Sequence, residues 1–237
     1  MRSRPKKTPD FKVNLNGNTY LIEAKTLRDA PPVVPGKVSR CGKLNHLQKM
    51  KKVAHIAHDQ LKSYDPENAY PWILWLHDRR QLPGHVTVNR LIGIFYGARP
   101  VVYAKAASEK VESGLLLHAA DSFFWKRPKM AAVVLSGEFC PQMFVNEFGA
   151  SEQFLAGSFP EIFEKQGSVV TPASLILRGA FTAKDKLGQN ISRKELNNYL
   201  EEIYRIRGAQ ILEPMHAYEA IDLSWVNVTD PGNQVIP

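Results

Sequence analysis

The dipeptide Asn16-Gly17 sits between two runs in which apolar and polar residues alternate. Before it, Phe11, Val13 and Leu15 alternate with Asp10, Lys12 and Asn14. After it, Tyr20, Ile22 and Ala24 alternate with Thr19, Leu21, Glu23 and Lys25. A period of two sends successive side chains to opposite faces of a strand. Asn-Gly accepts the left-handed dihedrals that a two-residue hairpin turn demands. Pro9 to Thr26 therefore predicts a β-hairpin, and its register follows by counting. With Asn16 and Gly17 at the centre of the turn, Leu15 pairs with Asn18 and Asp10 comes to lie opposite Glu23. Directly opposed side chains have Cβ atoms about 5 Å apart. Phe11, Val13, Leu15, Tyr20, Ile22 and Ala24 share the face expected to meet the core. Asp10, Glu23 and Lys25 share the other.

Two carboxylates facing each other across a sheet repel, so the arrangement calls for a counter-charge. A divalent cation supplies one, because Mg²⁺ is commonly held by one or two carboxylates together with waters and substrate phosphate oxygens. A protonated Lys25 beside them cannot be a ligand, but it could orient an attacking water or offset charge on a phosphate. The same spacing also suits a surface cluster in which Lys12 and Lys25 neutralise the two acids.

Charge distribution points toward a polyanion. Residues 1–52 hold 13 Lys or Arg and three acids, a net of +10, whereas residues 53–237 hold 18 basic and 20 acidic residues, a net of −2, and the two add to the chain's +8. The entire positive excess thus lies in the first quarter, a footprint that suits a polyanion such as nucleic acid and equally a solvated basic face or a disordered arm. Lys12 and the Pro-, Gly- and Lys/Arg-rich stretch 27–43, with Lys37, Arg40 and Lys43, are the candidate phosphate contacts. No apolar run approaches the roughly 18 residues that span a bilayer, so no membrane partner is expected. The basic start of the chain is not followed by an apolar signal segment. Cys41 and Cys140 form no disulfide framework or CxxC pattern. A cytoplasmic setting is the expectation.

Pro9-Asp10, a short spacer, then Glu23-Ala24-Lys25 resembles the PD-(D/E)xK nuclease superfamily. The resemblance implies a restriction-endonuclease-like α/β fold, a mixed sheet flanked by helices with the hairpin near the sheet's centre. It also implies hydrolysis of phosphodiester bonds, most naturally in DNA, with Mg²⁺ or Mn²⁺ as cofactor. Asp10 and Glu23 would be metal ligands, with the Ala24 carbonyl between them, and Lys25 would act on the nucleophilic water. The family core runs helix, strand, strand, strand, helix, strand. After the hairpin, Leu44 to Tyr64 supplies a helix, with Leu47, Met50, Ala54, Ala57 and Leu61 as its apolar stripe, and Trp72 to Leu76 supplies a buried strand. Gln60 and Tyr64, one turn apart, resemble an element that some branches place beside the site, where Gln60 would bind phosphate or water. The family's helix ahead of the PD strand is not evident in the nine residues before Asp10. The helix is then missing, or comes from elsewhere in the chain, from a second copy or partner subunit, or from residues further upstream, and a non-catalytic nucleic-acid-binding module on the same fold is the rival reading. The nuclease-like core is drawn over 1–170, with an extension over 171–237.

Other segments are expected as follows. Leu91 to Tyr103 and Ala131 to Ser136 read as strands, the latter forming a hairpin with the 139–148 region. Arg193 to Arg207 reads as a helix opened by a Ser192/Glu195 capping box and ended by Gly208. His77-Asp78-Arg79-Arg80 reads as a loop cluster near nucleic acid, His55 and His58 as exposed helix residues, and Trp125 to Lys129 as a basic aromatic loop.

Overall fold

The computed structural model describes residues 8–28, 44–80, 84–105, 110–137, 140–149, 154, 157–166, 168–183 and 191–212. The chain is mixed α/β and forms two compact units: Met1–Gly84 with Arg127–Val169, and His85–Lys126 with Val170–Pro237. Residues 85–126 group with the C-terminal part of the chain.

The first unit holds a six-stranded mixed sheet in the order β1-β2-β3-β6-β7-β8. Its strands are β1 (Phe11–Leu15), β2 (Asn18–Leu27), β3 (Trp72–Asp78), β6 (Met130–Ser136), β7 (Gln142–Val145) and β8 (Val169–Val170). β1 and β2 are antiparallel. Helix α1 (Leu44–Tyr64) then carries the chain across to β3, which runs parallel to β2, and β6 runs parallel to β3. A crossover helix is the ordinary way to join parallel neighbours. The hairpin lies at one edge of the sheet and not near its centre, because β3, β6, β7 and β8 all add on the far side of β2.

Both faces of β2 are covered. Tyr20 and Ile22 join a core cluster with Ile73, Val134, Val145, Phe154, Phe159 and Phe163, the last two on α4 (Ser158–Glu164). α1 packs on β2 and β3. Its stripe of Met50, Ala54, Ala57 and Leu61 is buried, while Lys49, Lys51 and Lys52 stay in solvent. β1, with a single neighbour among the described strands, is less well covered: Val13 and Leu15 are half-buried and Phe11 is 56% exposed. The expectation of a core face extending to Phe11 is therefore corrected at the strand's first residue.

The second unit holds a four-stranded sheet, β10-β4-β5-β9, made of β4 (Ala98–Lys105), β5 (Val111–Leu117), β9 (Phe181–Thr182) and β10 (Ile206–Ile211). The stretch from Leu91 divides: α2 (Gly84–Tyr96) is a helix and only Ala98–Lys105 is a strand. Val88, Leu91, Ile92 and Phe95 fall at helical spacing and are all buried. Gly97 adopts φ +67 between the two elements, and a Cβ there would come within 2.2 Å of the His118 carbonyl oxygen. Helix α6 (Arg193–Tyr204) has the expected Ser192–Glu195 capping box but ends at Tyr204, where Arg205 turns left-handed at φ 53. Ile206 and Gly208 belong to β10, so neither is on the helix.

Candidate active site

The turn is built as its residues dictate. Asn16 and Gly17 both have positive φ, at 50° and 83°, the signature of a type I′ turn, and the Gly17 amide donates to the Asn14 side-chain carbonyl at 3.2 Å. The register runs Leu15↔Asn18, Asn14↔Thr19, Val13↔Tyr20, Lys12↔Leu21 and Phe11↔Ile22. The ladder ends at Phe11↔Ile22, and Asp10, the residue before β1, is tied to β2 through its side chain.

The three motif residues differ sharply in exposure. Asp10, just ahead of β1, is exposed, and its Oδ2 accepts a hydrogen bond of 2.8 Å from the Ala24 amide. Glu23 is completely buried, on the sheet face opposite Tyr20 and Ile22. Lys25, whose side chain is 27% exposed, forms an ion pair with Glu23 Oε1. The second Glu23 oxygen, Oε2, is buried and has no hydrogen-bond partner among the described residues. Glu23 is thus buried and paired with Lys25 two residues along, and Asp10 is clipped to the backbone amide midway between them.

A buried carboxylate oxygen without a donor is costly, and a hard cation is the partner such an oxygen takes. Two carboxylates and a main-chain carbonyl fit Mg²⁺ or Mn²⁺, which completes its shell with water and substrate oxygens. Among the described residues no group of three His, Cys, Asp or Glu gathers as a ligand set.

The other sequence candidates scatter. Gln60 lies half-buried on α1, and no side-chain hydrogen bond joins it to Glu23. Lys12 shares the face of Asp10 and is exposed, but its ammonium donates to the Tyr70 hydroxyl at 3.3 Å. Lys37, Arg40 and Lys43 lie outside the described residues.

Two expectations are corrected. Asp78 and Arg80 are not an exposed loop pair. They form a buried two-pronged ion pair, with Arg80 Nε to Oδ1 at 2.8 Å and Nη2 to Oδ2 at 2.7 Å, which closes the end of β3. His58 is buried, unlike the exposed His55, with its ring edge-on to Trp72 at 5.6 Å and its Nδ1 3.2 Å from Asp59 Oδ1. Burial lowers its pKa despite the Asp59 carboxylate.

Two clusters were not singled out in the sequence. Asp65 accepts hydrogen bonds from the Ala69 amide at 2.9 Å, the Tyr70 amide at 3.2 Å and the Trp72 indole at 2.9 Å. Burial alone would raise its pKa, but these donors and Lys129 outweigh burial and hold it below the ordinary aspartate range. In the second unit, Asp121 bridges His118 Nδ1 at 3.0 Å and Arg99 Nη2 at 2.6 Å. There too burial raises the carboxyl pKa and the His118 hydrogen bond and Arg99 charge more than reverse it. An Asp at the start of a loop closing on its own backbone is the signal that could have marked Asp65.

No family model, no curated protein and no solved structure matches this chain.

Proposed function

We propose that this chain is a metal-dependent nuclease of the PD-(D/E)xK type, with a restriction-endonuclease-like fold in its first unit, that hydrolyses phosphodiester bonds in DNA. The observation that carries the reading is the buried Glu23: one of its oxygens is paired with Lys25, the other has no donor among the described residues, and Asp10 is held to the adjoining Ala24 amide. A buried charge left half-satisfied is expensive to keep as mere structure, and such groups cluster at sites of function. The run β1, β2, crossover helix, parallel β3 matches the last four elements of the family's core order, strand, strand, helix, strand, with two strands and not three ahead of the helix among the described residues.

Asp10, Glu23 and the Ala24 carbonyl would hold Mg²⁺ or Mn²⁺, which when bound polarises the phosphate and lowers the pKa of bound water. Lys25 directs its ammonium into the site from a partly exposed position, where it can orient the attacking water and stabilise charge that grows on the phosphate oxygens. The water oxygen forms the new bond to phosphorus, the bond to the leaving sugar oxygen breaks, and that oxygen takes a proton. Glu23, buried and fixed in a strand paired on both sides, is a pre-organised group that need not move during the reaction.

Incubation of linear, circular and single-stranded DNA with and without Mn²⁺ tests the reading. Cleavage is expected only with the metal. Glu23→Ala is expected to abolish it while DNA affinity persists. Cleavage at full rate in that variant, or in EDTA, refutes the site.

A further inference from the structure

A second polar feature lies on the Asp10 face of the hairpin, two residues toward the turn. Lys12 places its ammonium 4.4 Å from the centre of the Tyr70 ring and donates to the same residue's hydroxyl. Tyr70 stands on a loop that is firmly held: Asp65 accepts from the Ala69 and Tyr70 amides, and the Leu21 amide of β2 donates to the Pro71 carbonyl at 3.0 Å. Between this loop and the hairpin tip runs an open groove of about 200 Å³, lined by residues 17–20 on one side and 69–71 on the other. At Gly17 an added Cβ would meet nothing within 4 Å, so this wall faces open space.

We propose that this groove, with Lys12 and Tyr70, is a subsite for a nucleotide of single-stranded DNA adjoining the one that reacts. The proposal rests on the nuclease reading for its relation to Asp10 and Glu23. Residues two apart on a strand advance about 6.6 Å, which suits one step of an extended nucleotide chain. Lys12 takes the phosphate, exchanging its contact with the Tyr70 hydroxyl for a charged one. The Tyr70 ring, freed of its cation, offers a face to the base. An aromatic face beside a cation is the recurrent means of holding unpaired nucleotides without regard to sequence. A base stacked in a duplex cannot reach such a face, which selects the single strand.

The test uses the full chain in EDTA, so that nothing is cut, with fluorescein-labelled oligodeoxythymidylate and a duplex of equal length, read by anisotropy across a salt series. The single strand is expected to bind more tightly than the duplex. Lys12→Ala should weaken binding and reduce the slope of log K against log salt by about 0.7, the value for one phosphate contact on a single strand, whereas Lys12→Arg keeps the slope. Tyr70→Ala should weaken binding about 5- to 150-fold, the range for one lost stack, with the slope unchanged, and Tyr70→Phe should retain most of the affinity. Wild-type affinity and slope in Lys12→Ala, or preference for the duplex, overturns the subsite and leaves the nuclease reading standing. No DNA binding by the unaltered chain overturns both. Lys12 is exposed, so its substitution decides the matter even if Tyr70→Ala fails to fold.

Discussion

Replacing Lys25 by Met while leaving Glu23 in place isolates the energetics on which the site depends. Glu23 is fully buried and its Oε2 has no partner among the described residues, so Lys25 is the cation seen to offset its charge. Removing one member of a buried pair costs about 3–5 kcal/mol. The Lys25 side chain is 27% exposed, so water already shares its charge and about 2–3 kcal/mol is the reasonable loss. With a urea slope of about 2 kcal/mol/M, the midpoint should fall by roughly 1 M. Glu23→Gln is the opposite case. It removes the buried charge, and Lys25 can turn outward to solvent, so the cost is only about 0–1 kcal/mol. Metal provides a second reading of the same asymmetry. In Lys25→Met, Mg²⁺ can supply the missing positive charge, and a ligand at about 100 times its dissociation constant adds roughly 2.7 kcal/mol. Urea titration followed by tryptophan emission suits the measurement, since Trp72 and Trp75 lie on β3 beside β2. The reasoning fails if Glu23→Gln is the less stable variant, or if Mg²⁺ stabilises both variants equally.

Two further predictions concern groups outside the site. Arg80→Leu leaves Asp78 buried without its two-pronged partner and should cost about 3–5 kcal/mol in chemical denaturation, most of it recovered when Asp78 is also made Leu. Asp65 has a depressed folded-state pKa, so its contribution is complete above the ordinary aspartate value, near pH 4, and is lost as pH falls through the lower folded value. Urea midpoints measured from neutral pH downward should show this loss, and Asp65→Asn should be less stable at neutral pH and lack that share of the acid dependence.

Local chemistry decided how much could be read in advance. Asn16-Gly17 admits essentially one tight turn, and with the turn in place every pairing down to Phe11↔Ile22 follows. The stripe on α1 and the run at Trp72 were equally legible, because burial and periodicity agree there. Leu91 to Tyr96 was not, since a continuous apolar run suits a buried helix as well as a buried strand, and periodicity cannot separate them. The end of α6 was misplaced because Arg205, a residue that seldom turns left-handed, performs the role that Gly208 was expected to play. Burial was the hardest quantity to foresee in the site itself. Alternation set Glu23 on a polar face with Asp10, yet Glu23 lies under α1's side of the sheet and Asp10 in solvent. That contrast depends on a helix more than twenty residues away in sequence.

The place of β1 at the sheet's margin separates the two acids in a further way. Glu23 sits in a strand zipped on both sides, so its exposure to exchange with solvent deuterium requires large-scale opening. Asp10 is tied through a five-residue strand with one neighbour, and such margins open at far lower free energy than the interior. The site therefore has one permanent wall and one wall that is present only while β1 stays zipped. Anything that caps or extends the free margin of β1 lengthens the fraction of time during which both acids are in register.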